Sequence, residues 1–180
     1  GRRGLDRSGI AVVSGAPTGT VTVALAAGGI PRYTIHEGTA WDLMPWTAGI
    51  AGLAARADAV CFGSLAQRSP VSRATIGAFL DATGPDCLKV LDLNLRQSYF
   101  SRETVRGLLG RANVLKLNDE ELATVAGLLS LPGPEERVLA GLLGTCPLTL
   151  IALTKGPSGS RLFGRGVDLR TPGRPVETAD

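Results

Sequence analysis

Four short stretches concentrate the side chains capable of chemistry: Gly63-Ser64, Asp92-Leu93-Asn94-Leu95-Arg96, Asn118-Asp119-Glu120-Glu121 and Thr154-Lys155-Gly156-Pro157-Ser158-Gly159-Ser160. The last joins a hydroxyl, a lysine and two spaced glycines, whose N–H groups and positive charge suit a phosphate chain. It follows neither Gly-x-x-x-x-Gly-Lys-Ser/Thr nor Gly-x-Gly-x-x-Gly, so a plain strand-to-hairpin turn stays open beside the phosphate reading. In Asp92-x-Asn94-x-Arg96 the alternation sends all three side chains to one side of an extended segment. Arg96 would there clamp an anion through two parallel bonds; the alternative is an Asp92–Arg96 pair that closes a strand. Asn118 with Glu121 three residues later has the capping-box spacing that opens a helix. The same hard oxygens suit a hydrated magnesium ion beside phosphates, and the two roles are compatible. His36, the single histidine, stands just before Trp41 and Asp42, where it either faces a ligand or stays uninvolved.

Other chemistries are poorly served. One histidine excludes multi-His zinc sites, and no Gly-x-Ser-x-Gly accompanies it for nucleophilic hydrolysis. Cys61, Cys87 and Cys146 are odd in number and far apart, which supports neither a disulfide framework nor a thiolate metal site. They read as reduced thiols, and the expected location is cytoplasmic. Nineteen Lys and Arg against sixteen Asp and Glu give +3, but the basic residues are scattered with few aromatic residues among them, so no nucleic-acid partner is expected. No apolar run approaches the ~18 residues of a membrane span, and the start lacks the apolar stretch of a signal peptide; no membrane partner is expected either. Gly1 in place of an initiator methionine suggests that upstream chain is missing.

The 180 residues, 44% hydrophobic and 19% charged, suffice to bury a core within one domain. From Ile50 onward the apolar pattern alternates between helical spacing and short continuous runs, as βαβ units around a parallel sheet require. Ile50, Leu53, Ala54 and Ala57 suit a helix face. Strands are expected over 59–62, 89–93, 113–117 and 148–153, and helices over 71–82, 103–111, 119–129 and 134–143. Each strand ends at one of the four stretches above, and open α/β sheets bind ligands at that edge. Residues 20–25 and 33–36, around a Gly28-Gly29-Ile30-Pro31 turn, read as an antiparallel hairpin; 160–163 and 167–170 read as a second. The expected organisation is a β-layer over 10–37 attached to an α/β body over 38–180, with the boundary near Glu37 to Asp42.

Taken in order, the motifs resemble the ribokinase-like sugar kinases (the phosphofructokinase-B group), most closely the fructokinase-like and ketodeoxygluconate-kinase-like branches. The resemblance runs from about Ile10 to Asp180. It rests on Pro17-Thr18-Gly19, Tyr33-x-Ile35 with Ala40-Trp41-Asp42, Phe62-Gly63-Ser64-Leu65, Asp92-x-Asn94-x-Arg96, Leu115-Lys116-Leu117-Asn118-x-x-Glu121 and Thr154-Lys155-Gly156-x-x-Gly159. It implies a doubly wound, mostly parallel three-layer α/β fold with a small β-sheet lid over the sugar. The implied chemistry is magnesium-dependent transfer of the γ-phosphoryl group of ATP to a sugar hydroxyl, achieved by positioning and charge stabilisation.

By position, Gly63, Ser64, Asp92, Arg96 and His36 would attend the sugar. Asn94, Asn118, Thr154, Lys155, Gly156 and Gly159 would attend the nucleotide, and Asn118 with Glu121 the Mg2+. Tyr33, Ile35 and His36 stand where the ketodeoxygluconate kinases place aromatic and arginine residues, which favours a neutral sugar, fructose by default, over a sugar acid; nucleosides stay open. A homodimer through the β-lid is a further implication. The family's Asp-Thr-x-Gly-Ala-Gly-Asp motif, which supplies the anion hole and catalytic base, would begin at Asp180. The chain is accordingly expected to be an internal fragment of a sugar kinase without its base, inactive alone, and no catalytic residue is assigned. The rival reading is a non-catalytic sugar- or nucleotide-binding module on the same scaffold. A dinucleotide-dependent reductase lacks its glycine fingerprint.

Overall fold

The computed structural model describes residues 4, 7 and 9–175; the expectation placed on Asp180 lies outside them. The chain divides into two compact units. One holds residues 1–56 and 66–84, the other 57–65 and 85–180.

In the first unit, strands β1 (Val21–Leu25) and β2 (Pro31–Ile35) form a two-stranded antiparallel sheet of their own. The turn between them carries Gly28 and Gly29 at positive φ, 84° and 76°, conformations that L side chains resist. Pro31 belongs to the second strand, not to the turn. Two helices complete the unit: α1 (Ala48–Ala54), whose Thr47 N-cap accepts the Ile50 N–H, and α2 (Pro70–Ala82), which opens with proline at a position that has no N–H to lose.

The polar centre of this unit is an ion pair. Asp42 closes a capping box with Thr39, and Arg68 grips it through Nε and Nη2, both at 2.8 Å, while Nη2 also donates to the His36 carbonyl at 2.6 Å. The guanidinium lies over the Trp41 ring, 4.1 Å from its centroid. Ser69 and Ser72 donate to the carbonyls of Asp42 and Trp41, tying α2 to the same turn. The Pro17-Thr18-Gly19 motif has its reason here, because a side chain at Gly19 would strike the Trp41 indole and the Pro17 carbonyl accepts the Ala40 N–H at 2.8 Å.

The second unit is a six-stranded sheet in the order β3-β4-β5-β6-β7-β8, formed by Ala59–Phe62, Leu88–Asp92, Val114–Asn118, Leu150–Thr154, Ser160–Gly164 and Val167–Thr171. The first four strands are parallel and the last two antiparallel. Helix α3 (Arg102–Leu109) connects β4 to β5, and α4 (Asp119–Leu129) with α5 (Glu135–Thr145) connects β5 to β6. Both crossovers advance in the same direction along the sheet, so right-handed connections lay these helices on one face. Burial agrees: Leu91, Leu115, Leu117, Ile151 and Leu153 are 0% exposed, while their neighbours along each strand are half-buried. The α/β class, the mostly parallel sheet and the separate small β-sheet are as the sequence implies.

The Asp42 carboxyl is held below the usual carboxylate range, chiefly by its hydrogen bonds from Arg68. A depressed pKa contributes stability that is present above the unfolded value of about 4 and is lost as pH falls through the folded value. Asp42→Ala leaves the Arg68 charge without its partner carboxylate and should cost about 3–5 kcal/mol. Urea unfolding of wild type and variant at pH 7 and pH 3 measures this. The expected gap at pH 7 narrows at pH 3; equal stability at pH 7 contradicts a stabilising Asp42–Arg68 pair.

Candidate functional site

Because β3 to β6 are parallel, their carboxyl ends share one rim of the sheet, where ligands of open α/β folds gather. Register fixes the neighbours: Asp92 lies opposite Lys116, and Asn118 opposite Thr154. The rim therefore brings together Gly63, Ser64, Asp92, Asn94, Arg96, Asn118, Glu121 and the 154–159 loop. His36 lies in the first unit, where its Nε2 is 2.7 Å from the Thr22 hydroxyl.

At the β3–β4 side the backbone is tightly packed. A Cβ on Gly63 would come within 2.8 Å of the Asp92 carbonyl, so glycine is required for the two strand ends to approach. Ser64 is buried, its N–H bonded to the Leu93 carbonyl at 3.1 Å and its hydroxyl to the Asn94 carbonyl at 3.2 Å. It braces the loop from beneath.

The alternation expected for Asp92, Asn94 and Arg96 does not survive. Strand β4 ends at Asp92, and Asn94 and Gln97 take left-handed φ values of 50° and 49°, which Asn tolerates better than most residues. The chain turns there, and the three side chains leave the common face of an extended strand. The alternative Asp92–Arg96 pair is also not formed: Asp92 lies 3.0 Å from Lys116 Nζ. Arg96 is exposed, with one bond from Nη1 to the Leu95 carbonyl at 2.9 Å, so most of its donors point to solvent. Two left-handed non-glycine residues in four positions are local strain of the kind found at ligand sites.

Next along the rim, the capping box at the start of α4 is formed in full. Asn118 Oδ1 accepts the Glu121 N–H at 2.8 Å, and Glu121 Oε2 accepts the Asn118 N–H at 2.9 Å. The other carboxylate oxygen, Oε1, accepts the Leu95 N–H at 2.8 Å. One side chain, 6% exposed, thus ties the loop after β4 to the start of α4. That second bond is not predictable from the capping-box spacing.

At the far side of the rim, Thr154 ends β6 with its hydroxyl 3.4 Å from the Leu117 carbonyl. The loop beyond it folds as a single 3-10 turn, closed by the Lys155 N–H to the Gly159 carbonyl at 2.8 Å. Gly156 and Gly159 have φ of 50° and 96°, and a side chain at Gly159 would strike the Thr171 carbonyl. Both glycines are needed to make the turn.

Lys155 does not project over the turn. It pairs with Glu135 at the start of α5, 2.7 Å away. Glu135 in turn holds Arg161 at 2.9 Å, and Arg161 donates from Nε and Nη2 to Asp168, both at 2.7 Å, over the Phe163 ring. Lys155 foremost, then Arg161, keeps the Glu135 carboxyl below its ordinary range; Arg161 does the same for Asp168, and its own guanidinium is pushed up. This cluster escaped the sequence reading. Its only local signal was the charged Arg161 at an inward position of a strand, next to Leu162 and Phe163.

Comparison with known proteins gives a fold. A sugar kinase from Pyrococcus horikoshii matches with a TM-score of 0.72 at 21% identity, over 93% of this chain and 53% of its own. Fructokinase from Xylella fastidiosa matches with a TM-score of 0.74 at 20% identity, over 89% and 52%. A protein from E. coli described as ribokinase II, in complex with ATP and Mg2+, matches with a TM-score of 0.74 at 13% identity, over 92% and 53%. The fold is that of the ribokinase-like sugar kinases. Structures of the Pyrococcus and Xylella proteins also hold ATP. The chain spans about half the length of these ribokinase-like structures. No protein-family model matches the sequence, and no curated protein does.

Truncating Glu121 to alanine leaves two partly buried N–H groups without acceptors. The expected cost is about 2–4 kcal/mol, with Glu121→Gln, which keeps one acceptor oxygen, losing roughly half as much. Urea midpoints of the three proteins test this. A Glu121→Ala midpoint equal to wild type would show that the carboxylate is not a structural tie.

Proposed function

We propose that this chain forms the nucleotide- and phosphate-facing part of an ATP-dependent sugar kinase, which transfers the γ-phosphoryl group of ATP to a sugar hydroxyl. The observation that carries the proposal is the pairing of Asn118 with Thr154 on one rim, between the Glu121 cap and the glycine turn at 156–159. The rim combines hydroxyl, amide and carboxylate oxygens with a turn bounded by two glycines, Gly156 and Gly159. In a fold shared with ATP-bound sugar kinases, that combination suits a triphosphate.

In this reading Thr154, Gly156 and Gly159 meet the nucleotide phosphates, Asn94 lies beside them, and exposed Arg96 reaches the anion between nucleotide and sugar. Gly63, Ser64 and Asp92 shape the sugar side, Ser64 and Gly63 by setting the backbone. Lys155 acts from the side through Glu135. His36 keeps its place as a candidate sugar contact. Magnesium arrives with ATP. Among the described residues no group of three or more His, Cys, Asp or Glu side chains is placed to hold a metal, and each Glu121 oxygen already accepts an N–H. The donor set therefore fits a hydrated ion met through water by Asn118 and Glu121.

Phosphoryl transfer breaks the bond from Pγ to the β–γ bridging oxygen and forms one from Pγ to the sugar oxygen, whose proton must go to a base. We assign no base: of the rim carboxylates, Asp92 faces Lys116 and Glu121 is engaged by two N–H groups. The same engagement favours a second reading, a binding module without turnover. A neutral sugar, fructose first, is the proposed acceptor, and the free thiols of Cys61, Cys87 and Cys146 suit the reducing cytoplasm.

We extend the proposal to a homodimer through the hairpin. Val21, Val23 and Leu25 lie opposite Ile35, Tyr33 and Pro31, so one face of the two-stranded sheet is wholly apolar, and Val23 and Tyr33 are 54% and 60% exposed. Isolated two-stranded sheets are marginal in water, and a second copy of the same face would bury this one.

Calorimetric titration of the chain with MgATP tests the main reading. Thr154→Val removes only the hydroxyl and should weaken binding by about 5–10-fold, the ~1 kcal/mol scale of one hydrogen bond, with the melting temperature nearly unchanged. No binding by wild type, or unchanged affinity in the variant, overturns it. Sedimentation equilibrium tests the dimer: Val23→Asp should convert dimer to monomer, and a monomeric wild type removes the proposal.

A further inference from the structure

The loop after β4 is restrained unevenly along its length. Its start is bound firmly: the Leu93 N–H donates to the Lys116 carbonyl at 3.0 Å, and the buried Ser64 hydroxyl donates to the Asn94 carbonyl at 3.2 Å. Its far end closes on itself, through the Tyr99 N–H to the Arg96 carbonyl at 3.2 Å. Between them the Leu95 N–H has one acceptor among the described residues, Glu121 Oε1 at 2.8 Å. Asn94 and Gln97 flank that bond at φ of 50° and 49°, conformations that persist only while the surroundings hold them. The same carboxylate faces the other side of the rim. Glu121 Oε2 accepts the Asn118 N–H at 2.9 Å, and the Glu121 N–H donates to Asn118 Oδ1 at 2.8 Å. Asn118 is thus fixed by its oxygen, and its NH2 group donates to no described residue. On the loop, exposed Arg96 engages one of its donors, Nη1, on the Leu95 carbonyl, and a guanidinium has four more N–H groups to offer. Hydrogen bonds of 2.9 Å or shorter therefore join the unused amide of Asn118 to the residue that precedes Arg96.

Resting on the nucleotide placement of the preceding section, we propose that Glu121 is a positioning residue that couples the two sides of the rim. A phosphate oxygen taken by the Asn118 amide holds the cap, the cap holds Glu121, and Glu121 holds residues 94–97 and with them Arg96. With the rim empty, the bond from Leu95 opens and closes, and the left-handed backbone relaxes while it is open. With a nucleotide at Asn118 the open form is disfavoured. A ligand shifts such an equilibrium only through its unequal affinity for the two forms, and the difference here is a fixed amide donor on Asn118 in one of them. Both Glu121 oxygens are engaged by N–H groups, so the carboxylate acts through its neighbours and not by touching the phosphates. Coupling of this kind is reciprocal: a sugar that engages Arg96 strengthens nucleotide binding by the same factor that the nucleotide strengthens sugar binding.

Amide hydrogen exchange of the isotope-labelled chain, with and without saturating MgATP, tests the coupling. MgATP should slow exchange at Leu95, Arg96 and Gln97 at least about fivefold, the lower end of coupling between sites. Chemical-shift changes at Asn118 and Thr154 report the binding itself. In Glu121→Ala, compared at equal saturation of the Thr154 signal, the loop amides should stop responding to MgATP while Thr154 still responds. A merely structural tie gives a different result: faster loop exchange in the variant, with the same relative slowing by nucleotide. Where the alanine variant leaves too little folded protein, Glu121→Gln serves, because one carbonyl oxygen cannot meet both N–H groups, and the same loss of response is expected. A wild-type response at Asn118 and Thr154 with none at 95–97 overturns the coupling and leaves the kinase reading standing. So does a loop response undiminished in either variant. Loss of all MgATP binding in Glu121→Gln would make the carboxylate a nucleotide contact and overturns the positioning role. No response anywhere in the wild type, Thr154 included, removes the kinase reading and the coupling with it.

Discussion

The rim of the six-stranded sheet depends on one carboxylate. Glu121 accepts the N–H of Asn118 on one oxygen and the N–H of Leu95 on the other, and so joins two segments that follow different strands. Without it, the start of the loop after β4 keeps its bonds to Ser64 and Lys116, but the Leu95 N–H loses its acceptor. Asn94 and Gln97 sit there in left-handed backbone conformations, which persist only when the surroundings over-determine them. The buried Ser64 hydroxyl supplies the other restraint, from below. Arg96 projects from a loop held at both ends, and that is what gives an otherwise exposed side chain a defined place.

Two arginines do comparable work elsewhere. Arg68 in the first unit and Arg161 in the second each use several donors on carboxylates and lie over an aromatic ring. A buried guanidinium is costly unless its donors are met, so each arginine fixes the geometry of everything that meets it. The pairing Arg161–Glu135–Lys155 then carries order from the β7–β8 hairpin to the glycine turn next to Thr154. This explains why Lys155 faces α5 when its place in the sequence suggests a role above the turn.

Much of this was legible in the sequence because it is written locally. The Val- and Leu-rich runs ending at Phe62, Asp92, Asn118 and Thr154 specify parallel strands buried by helices, and Asn118 with Glu121 specifies a helix start by spacing alone. The two-glycine turn before Pro31 specifies the hairpin. What escaped is long-range. Arg68 with Asp42 and Glu121 with Leu95 are each 26 residues apart, and no periodicity relates such positions. The one-sided reading of Asp92, Asn94 and Arg96 failed because alternation holds only while the chain stays extended, and Asn94 ends that. Lys116, at an ordinary strand position, took the Asp92 partnership because register places it directly opposite.

We propose that these features prepare the sheet's carboxyl rim for a phosphate chain and its hydrated metal, and that proposal is the central claim. Manganese can replace magnesium beside ATP and broadens the signals of nearby nuclei. The most direct measurement is the amide spectrum of the chain with MnATP set against that with MgATP. The account predicts selective broadening at Asn118, Glu121, Thr154 and Gly156. Broadening confined to the opposite edge of the sheet, around Ala59, Leu88 and Val114, or none at all, would contradict it.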